Sequence, residues 1–268
     1  MKNLVLCISE MAPSLLEKWI ADLPNFAALQ EQGTTGTTKY CCPFLLTPQM
    51  WATVTTGLSA GHHGVFDYWQ RSDTKGDFAE TNGGNVDGQR FWQVLDDQGV
   101  KTCIANLPHT HPPTPMRHGV LLSGQDAPGA HSSIASPVSA YKTITEKLGR
   151  YHHKDIFPGG QERMEYAGTI VKETEWQAGL FEFLFQEYEP DFMMCYASGA
   201  AMAQHYFWGD IDDSDAPKDC HEVVYKTYRA LDEMLGRLRA VAGSETNIWV
   251  MSECGAGPIK SGIDINRW

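Results

Sequence analysis

The feature that most constrains this chain is a set of short apolar runs with room for helices between them. They lie at residues 3–8, 101–106, 191–197 (DFMMCYA) and 247–252 (NIWVMS). Runs this short and without polar alternation read as strands buried on both faces. Between them the periodicity is helical. Pro13 opens a helix with Leu15, Leu16, Trp19, Ile20 and Leu23 on one side, and Gly33 follows as its stop. Residues 91–98 read as a short helix and 161–188 as a long one ending before Pro190. Val224, Tyr228, Leu231, Leu235 and Leu238 recur at the spacing of an amphipathic helix packed on a sheet. Residues 72–88 and 123–137 are polar and turn-rich and read as connections. The alternation predicts an α/β fold, a mostly parallel sheet sandwiched between helices. Ligands of such folds gather at the carboxyl ends of the strands, which Ser9, Ser198 and Ser252 mark here.

Composition narrows the partners. The formal charge of -12 lacks the basic face that nucleic-acid binding requires. It also means that an anionic substrate needs a local source of positive charge. Seven cysteines, an odd number without a CxxC pair, do not make a disulfide framework and read as small buried residues. The first apolar run is too short for a signal-peptide core, and no segment approaches the roughly 18 apolar residues of a membrane span. A reduced, cytoplasmic protein is the expectation.

The stretch 47–64, TPQMWATVTTGLSAGHHG, carries the densest chemistry. Thr47 precedes Pro48, which pre-organises a first helical turn, so its hydroxyl can cap that helix or face an anion at its N-terminus. The spacing Thr-Pro-x-x-Trp-Ala-Thr-x-x-Thr-Gly, followed by Gly-x-His-Gly, resembles the nucleophile segment of the alkaline phosphatase superfamily. Within it, the segment is similar to the type I phosphodiesterase/nucleotide pyrophosphatase group of predicted phosphohydrolases and phosphomutases. LPNFAAL at 23–29 resembles the family's opening helix, and the passage 91–124, with its Asn-x-Pro-x-Thr step and double proline, is similar throughout. The resemblance implies that Thr47 attacks phosphorus while bound to one of two zinc ions, and that the substrate is a small phosphate ester.

The metal positions implied by the resemblance are altered in this chain. Where the family has an aspartate after its first strand, this chain has Ser9, with Glu10 next to it. The family's Asp-x-x-x-His reads Ala201-Met202-Ala203-Gln204-His205, which keeps the histidine. Its Ser-Asp-His-Gly-x-Gly reads Ser252-Glu253-Cys254-Gly255-Ala256-Gly257. Glutamate and cysteine can both ligate zinc, which usually takes about four ligands, with about three from the protein in a catalytic site. One site is thus reduced to His205, and the other keeps Thr47, Glu253, Cys254 and Glu10. The family's last zinc histidine lies further on than Trp268, so a C-terminally incomplete copy is one reading.

The expectation is therefore a single alkaline phosphatase-like domain over 1–268, with a partial cap at 123–186. Its function would be that of a phosphoric-ester hydrolase or phosphotransferase with Thr47 as nucleophile. Zinc or another divalent metal would be held by His205, Glu253, Cys254 and Glu10, and Asn106 would face the substrate. The alternative is a non-catalytic homologue that binds a ligand or partner through the same cleft. Lys39, Arg71 and Lys260 are further sources of positive charge. The segment 57–61 also matches G-x-S-x-G, the nucleophile elbow of α/β-hydrolases, which would make Ser59 the nucleophile and needs a strand before it. His62 and His63, and His109 and His111 in PHTHPP, have spacings that can chelate or simply shape loops. Trp19, Trp176 and Tyr228 lie on helical patterns and read as core.

Overall fold

The apolar runs form neighbouring strands of one sheet, and their side chains alternate between two cores. The structure, a computed structural model, describes residues 2–39, 45–71, 76–124, 126–151 and 163–262. The chain begins β1 (Lys2–Ile8), α1 (Pro13–Trp19), α2 (Pro24–Gln32), α3 (Thr47–Thr56) and α4 (Ala60–His63). It continues β2 (Trp69–Arg71), β3 (Phe78–Glu80), α5 (Phe91–Asp97), β4 (Thr102–Ala105), β5 (Val120–Leu122), β6 (Ala135–Ser136) and α6 (Ser139–Leu148). The last elements are α7 (Arg163–Tyr188), β7 (Phe192–Ala197), α8 (Gly199–Phe207), α9 (Lys218–Ala242) and β8 (Thr246–Met251).

The sheet order is β6-β5-β4-β7-β1-β8, and every pairing is parallel except β6 with β5. In β1, Leu4, Leu6 and Ile8 enter the larger core while Cys7 enters the smaller. In β7, Met193, Cys195 and Ala197 enter the larger core, and Met194 and Tyr196 the smaller. The larger core is completed by α7, α8 and α9, and the smaller by Trp51 of α3 and Trp92 of α5. The two-residue period of a strand, with helices on both faces, accounts for this split. It is the expected architecture, with both faces of the sheet covered.

Three details differ from the sequence reading. The helix expected to run from Pro13 to Gly33 is broken. It ends at Trp19, passes through a 3-10 turn at Ile20–Asp22, and restarts at Pro24. Proline has no N–H to continue a helix and pushes the preceding residue towards an extended conformation. The connection 72–88 contains half of an antiparallel hairpin, in which Trp69 pairs with Glu80 and Arg71 with Phe78; residues 72–75 lie outside the described residues. The loop at 123–137 includes β6, which pairs with Leu121 and Leu122.

The region expected as a partial cap, 123–186, supplies in its described part β6, α6 and most of α7. Ile134, Ile144, Tyr166, Ile170 and Phe181 from it are buried in the larger core. Residues 125 and 152–162 of that region lie outside the described residues.

Cys7, Cys103, Cys195 and Cys220 are buried and free, as small core residues are, while free Cys254 is half-buried. Cys41 and Cys42 lie outside the described residues. Among the described residues, no helix is long and apolar enough to cross a membrane.

Candidate active site

Parallel strands deliver their following residues to one edge of the sheet, and a cleft of about 510 Å³ opens there. Thr47, Glu10, Ser9, His205, Tyr196 and Tyr68 are among the residues that line it. Thr47 is the first residue of α3, with Pro48 in the first turn; Leu46 is the N-cap, and no side chain caps the helix. The capping role open to Thr47 from sequence is therefore not the one it takes. Pro48 needs no N–H at that point, and Thr47 is only 8% exposed although it lines the cleft. Burial pushes the Tyr68 phenol up, and the nearby Thr47 partly offsets the rise.

Beyond β1 the chain turns sharply at Glu10, whose φ is 53°. The turn aims its carboxylate at α8, where Glu10 Oε2 meets His205 Nε2 at 2.6 Å. That hydrogen bond raises the His205 pKa above its ordinary value against the opposing effect of burial. The Gln204 side-chain amide supports the same turn, its Nε2 donating to the Glu10 carbonyl at 2.8 Å. Ser9 donates to Glu253 Oε1 at 2.9 Å and accepts from the Tyr196 hydroxyl at 2.7 Å. Burial raises the Glu253 carboxyl. The nearby Trp51 indole lowers it in part, although neither Trp51 Nε1 nor Glu253 Oε2 completes a well-formed hydrogen bond. Burial first, then the charges of Glu253 and Glu10, push the Cys254 thiol up to about 12.

The opposite wall of the cleft includes Thr81, His109 and Asp126. Thr81 donates its hydroxyl to the carbonyls of Asp67 (2.9 Å) and Tyr68 (3.2 Å), so it accepts from His109 Nε2 at 3.1 Å. Burial, then Arg90 and His63, lower His109 to about 4, which keeps the ring neutral. Asp126 accepts backbone N–H groups from His111 (2.8 Å), Gly83 (3.3 Å) and Thr110 (3.4 Å). Arg90 lies behind this wall, bonded to Thr55 Oγ1 at 2.7 Å and to the carbonyls of Gly83 and His109.

The structure thus brings Thr47, Glu10 and His205 into one cleft, with Glu253 behind Ser9 and Cys254 close by. Asn106 is not brought to it. Asn106 is 5% exposed, has a φ of 63°, and its amide oxygen accepts from Tyr151 in the interior. Lys39, Arg71 and Lys260 are exposed and do not line the cleft.

Ser59 follows helix α3 instead of a strand, sits at the N-cap of α4 and bonds His62 Nδ1 at 2.9 Å. A nucleophile elbow needs a strand–turn–helix corner, so the serine-hydrolase reading fails. His63 is fully buried. It accepts from the Val65 N–H and bonds Thr53 Oγ1, and burial and Arg90 lower its pKa. Tyr68, Tyr196, Thr81 and Asp126 were not singled out from sequence. Each comes from a hairpin, strand or loop far from Thr47 in the chain, and no local pattern marks them.

The family resemblance implies divalent metal, and the donor set does not fit a two-metal centre. Glu10 is engaged with His205, Ser9 is a neutral hydroxyl already bonded to Glu253, and Ala201 offers no donor. Among the described residues, no group of three or more His, Cys, Asp and Glu side chains is arranged to hold a metal ion.

The family profile described as type I phosphodiesterase / nucleotide pyrophosphatase matches residues 3–268. No curated protein matches the sequence. Among solved structures, the fold is similar to phosphonoacetate hydrolase from Sinorhizobium meliloti 1021 in complex with phosphonoformate. The TM-score is 0.64 at 15% identity, over 95% of this chain and 56% of that one. It is also similar to murine ectonucleotide pyrophosphatase/phosphodiesterase 5 (ENPP5), with a TM-score of 0.56 at 12% identity over 95% of this chain and 57% of that one. A second structure of the murine protein, an inactive threonine-to-alanine variant in complex with AMP, gives 0.53 at 12% identity, with the same coverage of 95% and 57%. The likeness is one of fold, and this chain spans a little over half the length of these structures.

Proposed function

The chain belongs to the type I phosphodiesterase / nucleotide pyrophosphatase family, and on that premise we propose that it is a phosphoester hydrolase or phosphotransferase acting through Thr47. One observation carries this reading. A threonine that caps nothing stands at the first position of a ten-residue helix and lines a cleft at the carboxyl edge of a parallel sheet. The N-terminus of α3 supplies partial positive charge where a phosphoryl group would sit, in a cleft that also carries Glu10, Glu80 and Asp126. Phosphoryl transfer depends mainly on positioning and charge stabilisation. Thr47 Oγ attacks phosphorus and gives up its proton through water, and the ester oxygen leaves on the opposite side as an alcohol after taking up that proton. A second water then hydrolyses the Thr47–phosphoryl bond to release phosphate and restore the hydroxyl. Tyr68 lines the same cleft beside Thr47.

The ligand class is a small phosphate or phosphonate ester. The neighbouring structures hold phosphonoformate and AMP, and a cleft of about 510 Å³ suits molecules of that size.

The test is hydrolysis of bis(p-nitrophenyl) phosphate and of AMP by the purified chain and by Thr47→Ala. Loss of a nucleophile lowers such rates by about 10³-fold or more, and Thr47→Ser should retain part of the rate. An unchanged rate in Thr47→Ala removes Thr47 from the reaction.

A second reading, a non-catalytic homologue that binds a phosphoester in the same cleft, is favoured by the Glu10–His205 and Ser9–Glu253 pairs. These engage side chains that the family uses for chemistry. It predicts that AMP binds to the full chain while no Thr47-dependent turnover is found.

A further inference from the structure

We propose that this cleft works without divalent metal, because side chains at and beside the family's ligand positions pair with one another as two braces, Ser9–Glu253 and Glu10–His205. The inference rests on the family membership behind the proposed function, and it does not require turnover.

The braces span the elements that shared metal ions would otherwise tie together. Ser9, at the end of β1, reaches the segment after β8 through Glu253 at 2.9 Å. Glu10, the next residue, reaches α8 through His205 at 2.6 Å. Each brace has backing. The Tyr196 hydroxyl donates to Ser9 Oγ at 2.7 Å, so the serine both gives and accepts within the protein. The main chain at Glu10 is held by Gln204 at 2.8 Å, and Gln204 Oε1 accepts from the Tyr228 hydroxyl at 3.0 Å. Tyr228 in turn accepts from the Ala12 N–H at 2.9 Å. This chain of bonds fixes the left-handed turn at Glu10 without an ion.

The donor chemistry points the same way. A metal in this place would have to displace a serine hydroxyl from a carboxylate and a carboxylate from an imidazole. It would recover no donor from Ala201, which is 3% exposed one helical turn before His205. An aspartate at either Ser9 or Ala201 would add a buried negative charge beside Glu253 or Glu10. The neutral residues found there avoid that charge.

The experiment uses the full chain purified without a metal-binding tag. Elemental analysis is combined with thermal melting in EDTA, in zinc and in manganese. The expected result is far less than one metal ion per chain and one melting temperature in all three conditions. Ser9→Ala and Glu10→Ala should each lower that temperature by about 2–4 °C, equally with and without zinc.

A metal ion that survives dialysis and departs in His205→Ala or Glu253→Ala overturns the proposal, as does a melting temperature that falls on chelation. Metal that stays in both variants is bound elsewhere and leaves the cleft metal-free. Unchanged melting of both brace variants in EDTA overturns the bracing role. None of these readouts uses turnover, so failure of the Thr47 reaction is recorded separately by the Thr47→Ala assay.

Discussion

Three histidines near the cleft are set to different tasks by what surrounds each ring. His205 gains a proton affinity from Glu10, so its pair adds stability below the ordinary histidine pKa that is lost as pH rises through the raised value. His63 and His109 have the opposite sign. Their folded pKa values lie below 6.5, so the unfolded chain takes up protons that the folded chain refuses. The contribution of these two rings is therefore full above about pH 6.5 and is lost as pH drops towards 4, with His109 costing about 3 kcal/mol across that window. Chemical denaturation measured from pH 7 to 4 should show this decline, and His109→Gln should flatten it. An equal slope in the variant would remove His109 as its source. Cys254 gives a second test. A thiol pushed up to about 12 holds about 10³-fold less thiolate at pH 8 than an ordinary cysteine. Mass-spectrometric mapping of iodoacetamide labelling should find it slow despite its partial exposure, and fast labelling would contradict the account. At this scale, Thr47, Glu10, Glu253 and His205 were legible as residues of interest, but their partners were not. The Glu10–His205 bond joins positions 195 residues apart, and the inward turn of Asn106 depends on Tyr151. No local spacing encodes either.

Helix ends and close helix approaches govern the elements. The N-terminus of α2 has no side-chain cap of its own. A carboxylate from α9 serves instead: Asp232 Oδ1 accepts the N–H groups of Asn25 (3.0 Å) and Phe26 (2.9 Å), and Oδ2 accepts from Asn25 Nδ2 (2.9 Å). Asp232→Ala leaves the buried Phe26 N–H and the part-buried Asn25 donors unmet and should cost about 2–3 kcal/mol in urea denaturation; a loss below about 0.5 kcal/mol would contradict the cap. At the start of α8, a Cβ on Gly199 would lie 2.2 Å from Thr174 Oγ1 and 3.1 Å from Thr227 Cγ2. Gly199→Val therefore forces α7, α8 and α9 apart and should destabilise by about 1–3 kcal/mol, with the His205 position disturbed as well. β1, β4, β7 and β8 were legible as short apolar runs, and α9 because its apolar stripe is regular; β5 and β6, of three and two residues, were not. The break at Pro24 was present in the sequence as a proline inside a helical pattern. The β2–β3 hairpin was not legible, since its strands are three residues each and mostly exposed.

Over the whole molecule, the proposed function requires an acidic chain with a formal charge of -12 to attract an anionic phosphoester. The proposed means are the N-terminus of α3 and His205, which meet at one edge of the sheet. The fold class was legible from the alternation of runs and helices. The state of the cleft was not, because it depends on side-chain pairs across β1, α8 and β8 that form only when the sheet assembles.

The most direct measurement is a crystal structure of the full chain grown with orthovanadate, which adopts the geometry of a phosphoryl group in transfer. The account predicts vanadium bonded to Thr47 Oγ at the N-terminus of α3, with the Ser9–Glu253 and Glu10–His205 pairs intact. Vanadium seated elsewhere in the cleft without a bond to Thr47 would contradict it.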